Sequence, residues 1–193
     1  MQLDPVHDLQ AVFRKILNVM SRPGTVLDLS REAGLLDLEL PLNKGLMLVA
    51  LALLDAETSF ALSSGDSYLQ SKAISQMTYA KTAVLGEADF IFVPSGADAA
   101  KAIAAAKSGT LVDPHLGATI VIEVPSLDEK GVLQLSGPGI ESTARFGVGL
   151  DHGWLAARGA KNIEFPLGVD LIFVDERLHL CALPRTTLVR QEA

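Results

Sequence analysis

Three short turns carry the residue types that could bind or react. In Ser21-Arg22-Pro23-Gly24, a fixed proline and a permissive glycine hold Arg22 on a rigid corner. A rigid guanidinium suits bidentate capture of a phosphate or carboxylate. The same four residues also read as a plain helix terminator with a solvated arginine. In Leu183-Pro184-Arg185-Thr186-Thr187, Arg185 stands beside the hydroxyls of Thr186 and Thr187, a set of donors able to cradle an anion. The competing reading is an exposed strand end, where threonine is simply a good strand residue. In Glu164-Phe165-Pro166-Leu167-Gly168-Val169-Asp170, Pro166 and Gly168 punctuate entry into the apolar run Leu171 to Val174. Asp170 lies inside that apolar stretch. If buried it needs a partner, and Arg185, which follows the paired strand, is the candidate; otherwise it faces water at a strand mouth. Phe165 reads as a core plug more readily than as an interface anchor.

The remaining candidates are weaker. Gly137-Pro138-Gly139 is a strand-ending turn, with close backbone approach to a ligand as its functional alternative. Trp154 either anchors a partner surface or pins a short helix. Cys181 sits between apolar residues and reads as an inert core thiol. Its being a lone cysteine leaves no internal disulfide, no Cys-x-x-Cys redox pair and no Cys-ligated cluster made by one chain. His7, His115, His152 and His179 have no ligand-like spacing, so no metal is expected. There is no Gly-x-Ser-x-Gly elbow, Ser-x-x-Lys pair, Walker A sequence or His-Glu-x-x-His. Gly147 to Gly153 faintly resembles a dinucleotide loop but lacks the third spacing and a clear preceding strand. The catalytic residues, if any, are not assignable.

Composition limits what those turns can serve. The chain has 193 residues, 49% of them hydrophobic and 20% charged, with a mean hydropathy of +0.32. That excludes dominant disorder and is enough for a core without disulfides or metal. Sixteen Lys plus Arg against 23 Asp plus Glu give a net charge of −7. Such a chain is a poor binder of nucleic acid or anionic membrane on bulk electrostatics. Met1 to Gln10 lacks the basic and apolar regions of a secretory signal. The apolar run Leu46 to Leu54 is far short of the ~20 residues that span a bilayer. The expectation is a soluble, cytoplasmic protein.

The elements that must position the turns follow from periodicity. Leu9, Phe13, Ile16, Leu17 and Met20 predict an amphipathic helix, opened by Asp4 with Pro5 and closed before Pro23. Thr25 to Leu29 reads as a short strand. Asn43 caps a helix to about Asp55 that is apolar on nearly all sides. Thr58 to Leu62 reads as a strand, and Asp66 opens a more polar helix to about Tyr79. Ala88 to Val93 is a strand buried on both faces. Ala97 to Lys107 is a helix capped near Ser95 or Asp98. Ala118 to Val124 and Val132 to Leu135 read as a hairpin around Asp128-Glu129-Lys130-Gly131. A short helix surrounds Trp154, Leu155 and Arg158. Gly168 to Val174 and His179 to Leu183 form a second hairpin around Asp175-Glu176-Arg177. No repeat or linker divides the chain. One α/β sandwich with a mixed sheet is expected.

Taken together, the motifs resemble one family, the H subunit of the bacterial carbon–phosphorus lyase system (PhnH). The resemblance lies in Phe13-Arg14 with Met20 to Gly24, in Gly109-Thr110, Pro114 and Gly117-Ala118-Thr119, and in Leu133 with Ser136 to Ile140. It is most specific in Phe165 to Leu171 and Leu183 to Thr187. It implies a single domain over 1–193 with a three-layer α/β/α sandwich, similar to pyridoxal-phosphate-dependent transferases but without their cofactor-binding residues or any cofactor. It implies work in phosphonate breakdown within a core that contains the G, I and J subunits and transfers phosphonate to the ribose of ATP. It also implies a homodimer when isolated and no settled independent catalysis. Under that resemblance Arg22, Asp170, Arg185, Thr186 and Thr187 become candidates for a ligand or subunit contact. The alternative is a free-standing homodimeric enzyme or binding protein acting on a phosphorylated small molecule through Arg22 and Arg185.

Overall fold

The computed structural model describes residues 3–37, 39, 41–64, 68–151 and 153–191. Six helices and ten strands occur among them: α1 (His7–Ser21), α2 (Ser30–Gly34), α3 (Lys44–Leu53), α4 (Tyr68–Thr78), α5 (Ala99–Ala105) and α6 (Gly153–Lys161), with β1 (Leu27–Asp28), β2 (Ser59–Leu62), β3 (Lys81–Thr82), β4 (Phe90–Val93), β5 (Thr119–Val124), β6 (Leu127–Ser136), β7 (Ala144–Val148), β8 (Asp170–Asp175), β9 (His179–Leu183) and β10 (Leu188–Gln191). A 3-10 turn covers Pro114–Leu116.

Seven strands form the central sheet, in the order β1-β9-β8-β5-β4-β2-β3. β8, β5, β4, β2 and β3 run parallel, and β9 and β1 add an antiparallel edge. The sheet is therefore mixed and the fold α/β, as expected. Its middle strands are the continuous apolar runs of the sequence, because a strand covered on both faces has no polar side to alternate with. One face packs Phe60, Phe92, Val121 and Ile172 against α1, α3 and α4. The other packs Ile91, Ile120, Ile122 and Phe173 against α5, α6 and a small antiparallel sheet, β10-β6-β7.

The ends of the helices follow local rules. The Asp4 carboxylate accepts the Val6 and His7 N–H groups at 2.7 and 3.0 Å, and so starts α1. Asn43 Oδ1 accepts the Gly45 N–H and starts α3; Asp98 Oδ1 accepts the Lys101 N–H and starts α5. Asp66, the expected opener of α4, lies outside the described residues. The buried stripe of α1 is Val12, Ile16 and Val19, with Leu9 and Met20 beside it. Phe13 and Leu17 lie a quarter-turn away and are exposed, which corrects the apolar face expected from spacing alone.

The larger correction concerns β5 and β6, which do not form a hairpin. β5 is flanked on both edges by β4 and β8, so it has no free edge for β6. β6 instead pairs with β7 and β10, and the expected turn Asp128–Gly131 lies within β6 itself, where the register with β7 shifts between Asp128 and Leu133. The polar residues that suggested a turn are exposed positions on this outer sheet. The second expected hairpin, β8 with β9, is present, with Asp175 accepting the N–H groups of Arg177 and His179 across its turn.

Phe173 joins the layers. Its ring centroid lies 5.8 Å from Phe146 on β7 and 5.4 Å from Trp154 on α6. Trp154 thus pins its helix to the core. Phe173→Ala is expected to destabilise the protein by about 3–5 kcal/mol, since the cavity would open under two elements at once. A urea titration checks this; a loss under about 1 kcal/mol would show that the small sheet and α6 are held independently of that ring.

Candidate functional site

Asp170 opens β8 beside Thr119 of β5, at the amino end of the parallel strands. Arg185 follows β9, which runs the other way, so the two residues arrive at the same end. Arg185 Nη2 donates to Asp170 Oδ2 at 2.6 Å and Nε to the same oxygen at 3.1 Å. The Arg185 N–H donates to Oδ1 at 2.7 Å. Nη1 reaches across to the Pro114 carbonyl at 2.8 Å. Both side chains are about 15% exposed. The pairing considered from the sequence is present, and Asp170 does not simply face water.

This ion pair requires room. A Cβ on Gly117 would strike the Gly168 carbonyl and lie 2.7 Å from Arg185 Nη1. Gly168 N–H donates to Ser108 O, and Asn162 binds both the N–H and the C=O of Val169, at 2.8 and 3.1 Å. Three stretches, 108–117, 162–170 and 184–187, are thereby tied together.

Arg158, placed by the sequence only within a short helix, is the residue missed. It is buried, and its Nη2 donates to the carbonyls of Pro184 and Thr187 at 2.7 and 2.9 Å. Burial pulls its guanidinium down to about 10, opposed by the nearby Asp170 charge, so it remains a cation at neutral pH. Spacing held no signal for it, since the last turn of any helix favours a basic residue. Pro184–Thr187 is itself a tight turn, closed by Thr187 N–H to Pro184 O at 2.9 Å. One arginine grips this turn from within, and the arginine in the turn grips Asp170.

Thr187 is buried and its Oγ1 has no partner among the described residues, nor have Trp154 Nε1 and Arg158 Nε. Thr186 is half-buried. Arg22 ends α1, where its N–H donates to Asn18 O at 2.9 Å, and its side chain is exposed. Its corner meets the Gly137-Pro138-Gly139 turn. A Cβ on Gly139 (φ +83°) would strike Ser21 O, and one on Gly137 would lie 3.0 Å from Thr186 O. The glycine turn is thus wedged between the first and last motifs. Arg22 and Thr186 flank one turn, while Asp170 and Arg185 form a separate pair. Phe165, expected in the core, is 75% exposed. It lies in the loop between α6 and β8, held outside the core by the Asn162 and Gly168 contacts on either side of it.

Cys181 is buried in β9 opposite Phe173, and burial pushes its thiol up to about 12. Among the described residues no group of three His, Cys, Asp or Glu could hold a metal ion, and no helix is long and apolar enough to cross a membrane.

Asp170→Ala and Arg185→Ala are each expected to cost about 2–4 kcal/mol, because each strands the other's charge in a largely dry site. Their double mutant should recover about 1–3 kcal/mol of coupling in a denaturation cycle; additive losses would mean that the pair contributes nothing as a pair. Cys181 in the folded protein should resist Ellman's reagent at pH 8 and react fully only on unfolding. Rapid labelling of the native chain would contradict its burial.

Sequence comparison sets this geometry among relatives. The profile of a family described as bacterial phosphonate metabolism protein (PhnH) matches residues 2–190. The chain is 34% identical, over 185 residues, to a putative C-P lyase subunit protein HtxG of Stutzerimonas stutzeri, covering 92% of this chain and 84% of that protein. It is also 34% identical, over 192 residues, to the alpha-D-ribose 1-methylphosphonate 5-triphosphate synthase subunit PhnH of Rhizobium meliloti (strain 1021), covering 98% and 94%.

Proposed function

This chain belongs to the PhnH family of bacterial phosphonate metabolism proteins, and from that premise we propose that it works as a subunit of the carbon–phosphorus lyase complex in organic phosphonate catabolism. It supports transfer of phosphonate to the ribose of ATP without a self-sufficient catalytic centre. Its partners are the cognate G, I and J subunits, it forms a homodimer when isolated, and it resides in the cytoplasm. The whole chain acts as one domain of the pyridoxal-phosphate-transferase kind that carries no cofactor.

One observation carries this reading. The polar residues of the most specific motifs are engaged within the chain: Arg185 with Asp170 and Pro114, and Arg158 with the turn that follows β9. Most of what the tied loops leave exposed beside them is apolar: Leu111, Val112 and Leu116 on one, Ile163 and Phe165 on the other, with Thr110, His115 and Glu164 the exposed polar residues between them. A site that holds its charges inward and presents large apolar side chains outward suits contact with protein better than turnover. In this reading Phe165 is the anchor of that contact, Arg22 and Thr186 add polar contacts from the glycine turn they flank, and Asp170, Arg185 and Thr187 hold the loops in shape. The alternative, a free-standing binder of a phosphorylated molecule through Arg22 and Arg185, has less support because Arg185 already faces a carboxylate.

Co-expression with the cognate G, I and J subunits, followed by native mass measurement, tests this. Stoichiometric incorporation is expected. Phe165→Glu should reduce incorporation at least tenfold while leaving the melting temperature within a few degrees, since the ring is exposed. A wild-type chain that stays apart from those subunits ends the proposal. Incorporation undisturbed by Phe165→Glu would move the contact elsewhere.

A further inference from the structure

The arginine cluster occupies the amino end of the parallel strands, and the opposite end has a different construction. There β2 and β4 lie side by side, paired from Phe60–Phe90 to Leu62–Phe92. The chain leaving β2 enters α4, whose Ile74 packs into the cluster with α1 and α3. The chain leaving β4 enters α5, whose Ala99, Ala102 and Ile103 pack into the cluster on the other face. When neighbouring strands send their helices to opposite faces, neither helix covers the gap between the strand ends. A crevice must remain at that point, and in open α/β sheets this is where ligands bind.

A cavity of about 390 Å³ lies there. Its size falls within the range of small-molecule sites. Ser63 and Ser64 line it from the end of β2, Gly96, Asp98 and Lys101 from the start of α5, and Leu85 gives it an apolar wall. The Lys101 side chain is exposed and has no ion-pair partner among the described residues. Among the described residues the Ser64 hydroxyl makes only a long contact, 3.4 Å, to Gln70 Oε1. Asp98 uses Oδ1 to cap α5, at 2.9 Å from the Lys101 N–H, and its Oδ2 has no partner among the described residues.

We propose that this crevice binds a small phosphorylated polyol, with the phosphoryl group on Lys101 and the Ser63 and Ser64 hydroxyls and a ligand hydroxyl donating to Asp98. An ammonium with two hydroxyls is a donor set for a tetrahedral oxyanion. The carboxylate at the same rim repels an anionic charge held close to it, and so favours an anion with a hydroxyl several bonds from its phosphoryl group, which can donate to Asp98 while the charge stays on Lys101. The site lies at the other end of the sheet from Arg185 and owes nothing to the docking surface proposed above.

The test is an amide-shift titration of the ¹⁵N-labelled full chain with glycerol 3-phosphate, inorganic phosphate and glycerol in separate arms. Glycerol 3-phosphate should move the amides of Ser63, Ser64, Gly96 and Lys101 saturably, with at least fivefold higher affinity than phosphate, and glycerol should move none. Lys101→Glu should weaken glycerol 3-phosphate at least tenfold, whereas Lys130→Glu, an exposed change on β6, should leave it unaltered. Asp98→Asn, which keeps the helix cap, should abolish the preference over phosphate. Absence of saturable shifts, or shifts that survive Lys101→Glu, overturns the site. Equal affinity for phosphate and glycerol 3-phosphate overturns the ligand class. Co-purification with other subunits does not enter the readout, so this proposal and the assembly reading fail separately.

Discussion

The turn Pro184–Thr187 is held by two arginines, and much of one end of the molecule depends on that arrangement. The chain passes here from the central sheet to the small one, leaving β9 and entering β10. A chain crossing between layers brings carbonyls into a dry environment with no ladder partner. Arg158 meets those of Pro184 and Thr187, and Arg185 meets that of Pro114 while pairing with Asp170. A planar guanidinium can do this because its donors diverge in fixed directions; an ammonium on a flexible stem offers no such fixed fork. Burying Arg158 is costly, and the nearby Asp170 charge offsets part of that cost.

That constraint gives the two ends of the sheet different characters. At the amino end, the Asp170 and Arg185 charges are neutralised internally and the loops tied by them display mainly apolar side chains. At the carboxyl end, helices leave β2 and β4 on opposite faces and the polar groups of Ser63, Asp98 and Lys101 surround an open crevice. The first arrangement suits a partner chain and the second a small molecule. Both follow from one topology, in which β4 and β5 feed one face and β2 the other.

Much of the sheet was legible because burial on both faces imprints itself on local composition. The runs Phe90–Val93, Ile120–Ile122 and Leu171–Val174 are apolar throughout and became the middle of central strands. Capping was legible at Asn43 and Asp98, since a side chain two or three residues from its partner acts locally. The Asp170–Arg185 pair was visible as one of two alternatives, because an aspartate in an apolar run demands a counter-charge and the next strand supplies one. The edge strand β1 lies within the strand expected at Thr25 to Leu29, whereas β3, only two residues long, leaves almost no periodic trace.

The sequence by itself determined the central strands and the longer helices, where most of the stiff turns fall, and, through the resemblance of its closing motifs, the family; it left α2, β3, β7 and β10 unmarked. Tertiary structure alone decided which strands pair, whether Phe165 lies in or out, and what Arg158 does. Strand pairing is set by which edges remain free once the buried strands are placed, and β5 had none left for β6. Phe165 is held outward by contacts from residues before and after it in a loop, which no hydrophobicity pattern records. Arg158 meets carbonyls 26 and 29 residues further along the chain. Backbone carbonyls are the same in every residue, so a partner of that kind leaves no mark in the sequence, only in the fold.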